Sequence, residues 1–96
     1  MSTITIRFAS PDDVPIILEF IKGLAAFENE LDAVKTTQAD LLRDGFGPQP
    51  KFDVLIAELD GEPVGFALFF PTYSTWEGRP SLYLEALFVV ESARKH

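Results

Sequence analysis

Glu85 is the one charged residue in the run Leu82-Tyr83-Leu84-Glu85-Ala86-Leu87-Phe88-Val89-Val90. Strand alternation sets Leu82, Leu84, Ala86, Phe88 and Val90 on one side, and Tyr83, Glu85, Leu87 and Val89 on the other. Both sides are apolar, so a carboxylate in the middle requires a partner or a cavity. Two readings follow. In one, Glu85 binds a cationic amine or takes a proton from it. In the other, the strand lies at an edge and Glu85 reaches solvent, as unpaired glutamates nearly always do. Glu28 closes an apolar segment and can face the same cleft, or it can be a solvated surface acid. Phe27 falls at core spacing. Tyr73 and Trp76 flank a turn, where they would cap the core or stack on a ligand.

Other chemistries lack their residues. The chain has no cysteine, and its one histidine, His96, is the last of 96 residues. No His-based or Cys-based triad and no thiolate or histidine metal centre can be assembled, so no metal is expected. Gly45-Phe46-Gly47 lacks both the glycine spacing and the following helix of a phosphate loop. Glu91-Ser92-Ala93-Arg94-Lys95-His96 is a polar, basic turn after a strand, the place where phosphate loops begin, but neither glycine nor helix follows. Asp12-Asp13 serves a helix start.

Lys plus Arg is 8 and Asp plus Glu is 15, a net charge of −7. That balance argues against a nucleic-acid partner, whose phosphates need a basic surface. It favours cationic partners. No apolar run approaches the ~18–20 residues of a membrane span, and no leader pattern opens the chain. Freedom from cysteine fits the cytoplasm.

The elements that must position these groups can be read in order. Thr3-Ile4-Thr5-Ile6-Arg7-Phe8 alternates as a half-buried strand. Ser10-Pro11-Asp12-Asp13 is a helix start, and Val14 to Phe27 is a helix apolar on two flanks, to be covered by a sheet and by another helix or subunit. Thr37-Gln38-Ala39-Asp40 resembles a capping box for a short helix that Gly45 should stop. Phe52 to Leu59, a turn at Asp60-Gly61-Glu62, and Val64 to Tyr73 form a hairpin. A polar connection over 72–80 leads to a last strand, Leu82 to Val90. The order β-α-α-β-β-β, with three consecutive strands as an antiparallel meander, is an α+β fold with helices packed on a mixed sheet.

In sequence, these residues resemble the GNAT superfamily of N-acetyltransferases, in its diamine (spermidine/spermine or thialysine) branch. The resemblance rests on Ile6-Arg7-Phe8-Ala9, Ile21-Lys22-Gly23-Leu24-Ala25-Ala26-Phe27-Glu28 and Leu41-Leu42-Arg43-Asp44-Gly45-Phe46-Gly47. Val64-Gly65-Phe66-Ala67-Leu68-Phe69-Phe70, then Tyr73, Trp76 and Gly78, and Leu82 through Val89 complete it. It implies that residues 1–96 are the N-terminal portion of one acyl-CoA N-acyltransferase domain, ending before the glycine-rich diphosphate loop. It implies acetyl-CoA as co-substrate, a small-molecule amine as acceptor, and a homodimer.

Carried over by position, the resemblance places Phe27, Glu28, Trp76 and Glu85 at the amine, with Glu85 catalytic. It places Leu87, Phe88 and Val89 along the pantetheine arm, and Arg94, Lys95 and His96 at the opening of the diphosphate loop. The residue after the matched glutamate is often acidic in this branch, and here it is Ala86. The alternative expectation is a non-catalytic fragment acting as a dimerisation or binding module, paired through an open strand edge and the doubly apolar helix.

Overall fold

Local chemistry starts each helix. In the computed structural model, which describes residues 3–93, the Ser10 backbone N–H donates to Asp13 Oδ2 at 2.7 Å. One tight turn, Pro11–Asp13, leads from there into α1 (Val14–Phe27), with Pro15 tolerated in its first turn. The end of α1 is closed by Asn29 at φ 59°. The Asn29 N–H donates to the Ala26 carbonyl at 3.1 Å and the Glu30 N–H to that of Ala25 at 2.7 Å, which satisfies two orphan carbonyls. α2 (Gln38–Phe46) begins on the expected capping box: Asp40 N–H donates to Thr37 Oγ1, and Thr37 N–H to the Asp40 carboxylate.

Gly45 does not stop α2, which continues to Phe46. Its role is steric. A Cβ there would stand 2.6 Å from the Phe52 ring, so glycine lets that ring lie against the helix.

Four strands make one antiparallel sheet in the order β1 (Ile4–Phe8), β2 (Asp53–Leu59), β3 (Glu62–Ser74) and β4 (Arg79–Val89). Asp60 at φ 52° and Gly61 at φ 87° form the two-residue turn between β2 and β3. The connection expected over 72–80 is largely strand. Pairing of β3 with β4 extends to Ser74↔Arg79, and Thr72 and Ser81 exchange a 2.9 Å hydroxyl hydrogen bond across it. Polar residues satisfied across a ladder do not end it, so β3 and β4 extend as a long arm with Trp76 in its terminal turn.

Both helices lie on one face of the sheet. The core there joins Val14, Ile17 and Phe20 of α1, Leu41 of α2, and Val54, Ile56, Phe66 and Leu68 of the sheet. The Phe20 ring stands 5.8 Å from Phe66 and 5.9 Å from Phe88. α1 buries Val14, Ile17 and Phe20 between the sheet and α2, while the end of its second apolar flank, at Phe27, stays exposed. β1 departs from the expected half-buried strand. Its apolar residues Ile4, Ile6 and Phe8 are 52–67% exposed, while Arg7 is half-buried beneath the helices beside Asp13 and Glu58. Of the polar side only Arg7 is sheltered; Thr5 is exposed, and the apolar side is bare.

Candidate functional site

A bulge in β4 sets the site. Leu68 pairs with Ala86 and Phe69 with Leu84, so Glu85 is an extra residue with no partner on β3. The insertion reverses the alternation. Ala86 and Phe88 face the core, and below the bulge Tyr83 takes that face instead of Leu84, with its ring 5.3 Å from that of Phe70. The unbroken alternation expected from sequence is therefore corrected, because register with β3, rather than the β4 sequence, fixes which side each residue takes.

Glu85 turns by this device towards an open cleft of about 880 Å³ bounded by the end of α1, α2 and strands β3 and β4. Leu41, Phe52, Leu68, Phe70 and Ala86 supply its apolar surface, and Glu28 and Glu85 both line it. Glu85 is solvent-exposed and also lines the cleft. Three further acids line the same space, Glu30, Asp40 and Asp44, together with the cations Arg43 and Lys51.

The charges fall into two groups. Arg43 donates to Asp44 at 2.8 Å and lies 3.3 Å from Asp40. The hydrogen bond from Arg43 holds the Asp44 carboxyl below its ordinary range, and those from Thr37 do the same for Asp40. Lys51 is tied to the end of α2 through its N–H, 2.6 Å from the Asp44 carbonyl. That end of the cleft is internally balanced. Glu28, Glu30 and Glu85 form no ion pair among the described residues, so the negative charge open to a ligand is theirs. Sequence reading missed Asp40, Arg43, Asp44 and Lys51 as cleft residues, and reached Glu30 only as an acid at the unfavourable end of α1. Asp40 and Asp44 sit one helical turn apart, which was the available signal, but only the packing of α2 brings them to the cleft.

Other expected residues lie elsewhere. Phe27, at the last turn of α1, is 68% exposed and outside the cleft, not in the core as its spacing suggested. Trp76 at the arm's tip is 97% exposed, so it neither caps the core nor reaches the cleft. Leu87 is exposed on β4, Val89 is half-buried, and the Phe88 ring packs over Gly23. Arg94, Lys95 and His96 lie outside the described residues. Among the described residues β4 is an edge of the four-stranded sheet. No helix among the described residues is long and apolar enough to cross a membrane.

Comparison with known proteins places this geometry. The chain is 48% identical over 99 residues to human spermidine/spermine N(1)-acetyltransferase-like protein 1, covering 96% of this chain and 14% of that protein. It is 41% identical over 97 residues to the thialysine N-epsilon-acetyltransferase of Sus scrofa, covering 93% of this chain and 56% of that one. The chain therefore spans about half the length of the second relative and a small part of the first. Among solved structures, a possible acetyltransferase from Clostridium difficile 630 superposes with a TM-score of 0.69 at 22% identity, over 96% of this chain and 60% of that one. An aminoglycoside acetyltransferase from a soil metagenome gives 0.73 at 18%, over 97% and 60%, which shows the shared fold. Residues 19–96 match the acetyltransferase (GNAT) family, and the chain belongs to that family.

Proposed function

We propose that this chain is the substrate-recognising, N-terminal portion of an acetyl-CoA-dependent N-acetyltransferase acting on a small diamine or polyamine. The observation that carries the reading is the bulge in β4, which turns Glu85 into the same apolar-floored cleft as Glu28. Paired carboxylates attract an ammonium group and raise its pKa, so the amine binds protonated and must then lose a proton to become a nucleophile. Glu85 accepts that proton, directly or through water. Glu28 holds the charge of the second amine group. The names of the relatives, a spermidine/spermine acetyltransferase-like protein and thialysine acetyltransferases, fit an acceptor with two amines.

Acetyl-CoA, when bound, would supply an acetyl thioester, the amine N–C bond forming as the C–S bond breaks and the coenzyme leaves as its thiol after taking up a proton. Strand segment 87–89 would hold its pantetheine arm through backbone groups, and Arg94, Lys95 and His96 supply cations for its phosphates. The remaining part of the diphosphate loop belongs, on this reading, to the further two-fifths of the fold seen in the solved relatives. The absence of cysteine fits a reducing, cytoplasmic setting.

Calorimetric titration of spermidine into the chain tests the reading. Binding should weaken by about tenfold or more in Glu85→Gln, the loss expected when a charged hydrogen-bond acceptor becomes neutral. Equal affinity for both proteins would overturn the role of Glu85.

A further inference from the structure

A second cavity, of about 230 Å³, lies between the end of β1, the end of α2 and the start of β2. Phe8, Phe46 and Phe52 line it together with Asp53, and the small residues Ala9 and Gly45 leave the space between them open. Backbone hydrogen bonds brace its walls. The Ala9 N–H donates to the Val54 carbonyl at 2.8 Å, and the Lys51 N–H to the Asp44 carbonyl at 2.6 Å, which holds the segment entering β2 against the end of α2. Phe46 and Phe52 are half-buried and packed on the core, while Phe8 is 67% exposed. Of the residues lining this cavity, Phe52 alone also lines the cleft.

We propose that this cavity is a second binding site, one that takes a methylated ammonium group. Three observations point to a cation of that kind. Asp53, exposed at the first position of β2, forms no ion pair among the described residues, so its charge is open to a ligand. The cavity adjoins the last turn of α2, the negative end of the helix dipole. Aromatic rings attract cations to their electron-rich faces, and three rings beside one carboxylate suit an organic ammonium whose methyl groups fill the space between them. A bare metal ion needs several oxygen ligands, whereas a single carboxylate residue lines this space. The basic residues on either side in sequence, Arg43 and Lys51, line the cleft instead. This inference does not depend on the chemistry assigned to the cleft.

Amide chemical-shift titration of the chain with tetramethylammonium chloride reads the site. Saturable shifts are expected at Phe8, Ala9, Phe46 and Asp53, in the millimolar range. The neutral molecule tert-butanol, of similar size, should give no saturable shift there. Asp53→Asn removes the charge, and Phe8→Leu removes a ring while keeping apolar bulk. Each should weaken binding by about two- to fivefold, with the rest of the spectrum unchanged as the check on folding. Glu85→Gln should leave the shifts intact, and Asp53→Asn should leave intact the spermidine shifts at Glu28 and Glu85, which separates failure of this site from failure of the cleft. A trimethyllysine peptide titrated alongside distinguishes the source of the group. Tighter binding than the free ion at the same residues marks a protein side chain, and equal or weaker binding marks a small molecule; either supports the site. The absence of saturable shifts at these residues overturns the proposal. So does an equal response to tert-butanol, or binding indifferent to Asp53→Asn and Phe8→Leu.

Discussion

Asp13 carries two loads with one carboxylate. It accepts the Ser10 N–H at the helix start, and it accepts Arg7 Nη1 at 2.7 Å and Nη2 at 2.9 Å. The hydrogen bond from Arg7 is the main reason its carboxyl falls from 3.8 to about 2. A carboxyl depressed in the folded state stabilises the fold above its unfolded value and loses that contribution as the proton binds. The Asp13 contribution should therefore be full above pH 3.8 and disappear as pH falls towards 2. Asp13→Asn should cost roughly 1–2 kcal/mol at neutral pH, with the gap from the unsubstituted chain closing near pH 2 in urea titrations. The capping part of this role was legible in Ser10-Pro11-Asp12-Asp13, because caps depend on neighbours in sequence. The Arg7 pair was not, since it needs β1 laid beside the start of α1.

At the scale of elements, two glycines that sequence treats alike do different work. Gly61 supplies a positive φ for a turn, whereas Gly65 supplies space: a Cβ there would stand 2.6 Å from the Phe88 carbonyl oxygen and 3.2 Å from Val89 Cα. Backbone atoms of a neighbouring strand cannot move aside cheaply. Gly65→Ala should destabilise by roughly 1–3 kcal/mol, as overpacking does, although alanine loses less entropy than glycine on entering a strand. Thr37→Ala should cost about 1 kcal/mol through the lost cap of α2. Chemical denaturation midpoints at constant m-value measure both. The strands themselves were read correctly in number and order. Their ends were misplaced at 72–80 because the pairing of Thr72 with Ser81 is a cross-strand fact.

Among the described residues the core lies on one side of the sheet. Ile17 and Ile56 are 0% exposed at its centre, and Ile56→Ala should remove about 2–5 kcal/mol, a large share of the stability available to a domain this small. Differential scanning calorimetry would show the loss as a lowered Tm. Acetyl-CoA titrated into residues 1–96 should show no micromolar binding, since these residues span only about three-fifths of the fold of the solved relatives. Micromolar affinity would mean that the described half of the fold holds the donor unaided.

Sequence alone determined the order of elements, the two helix starts with the Thr37-Asp40 capping box, the Asp60-Gly61 turn, and the family resemblance. Each of these rests on residues close in the chain or on a motif read along it. Tertiary structure decided which side of each strand is covered, and hence that Ile4, Ile6 and Phe8 face outward while Arg7 is sheltered. It also decided that Phe27 and Trp76 stand in solvent, and that Glu85 reaches the cleft through a bulge. Alternation along a strand separates two faces but does not say which one meets the helices. One unpaired residue, fixed by register with β3, exchanges them.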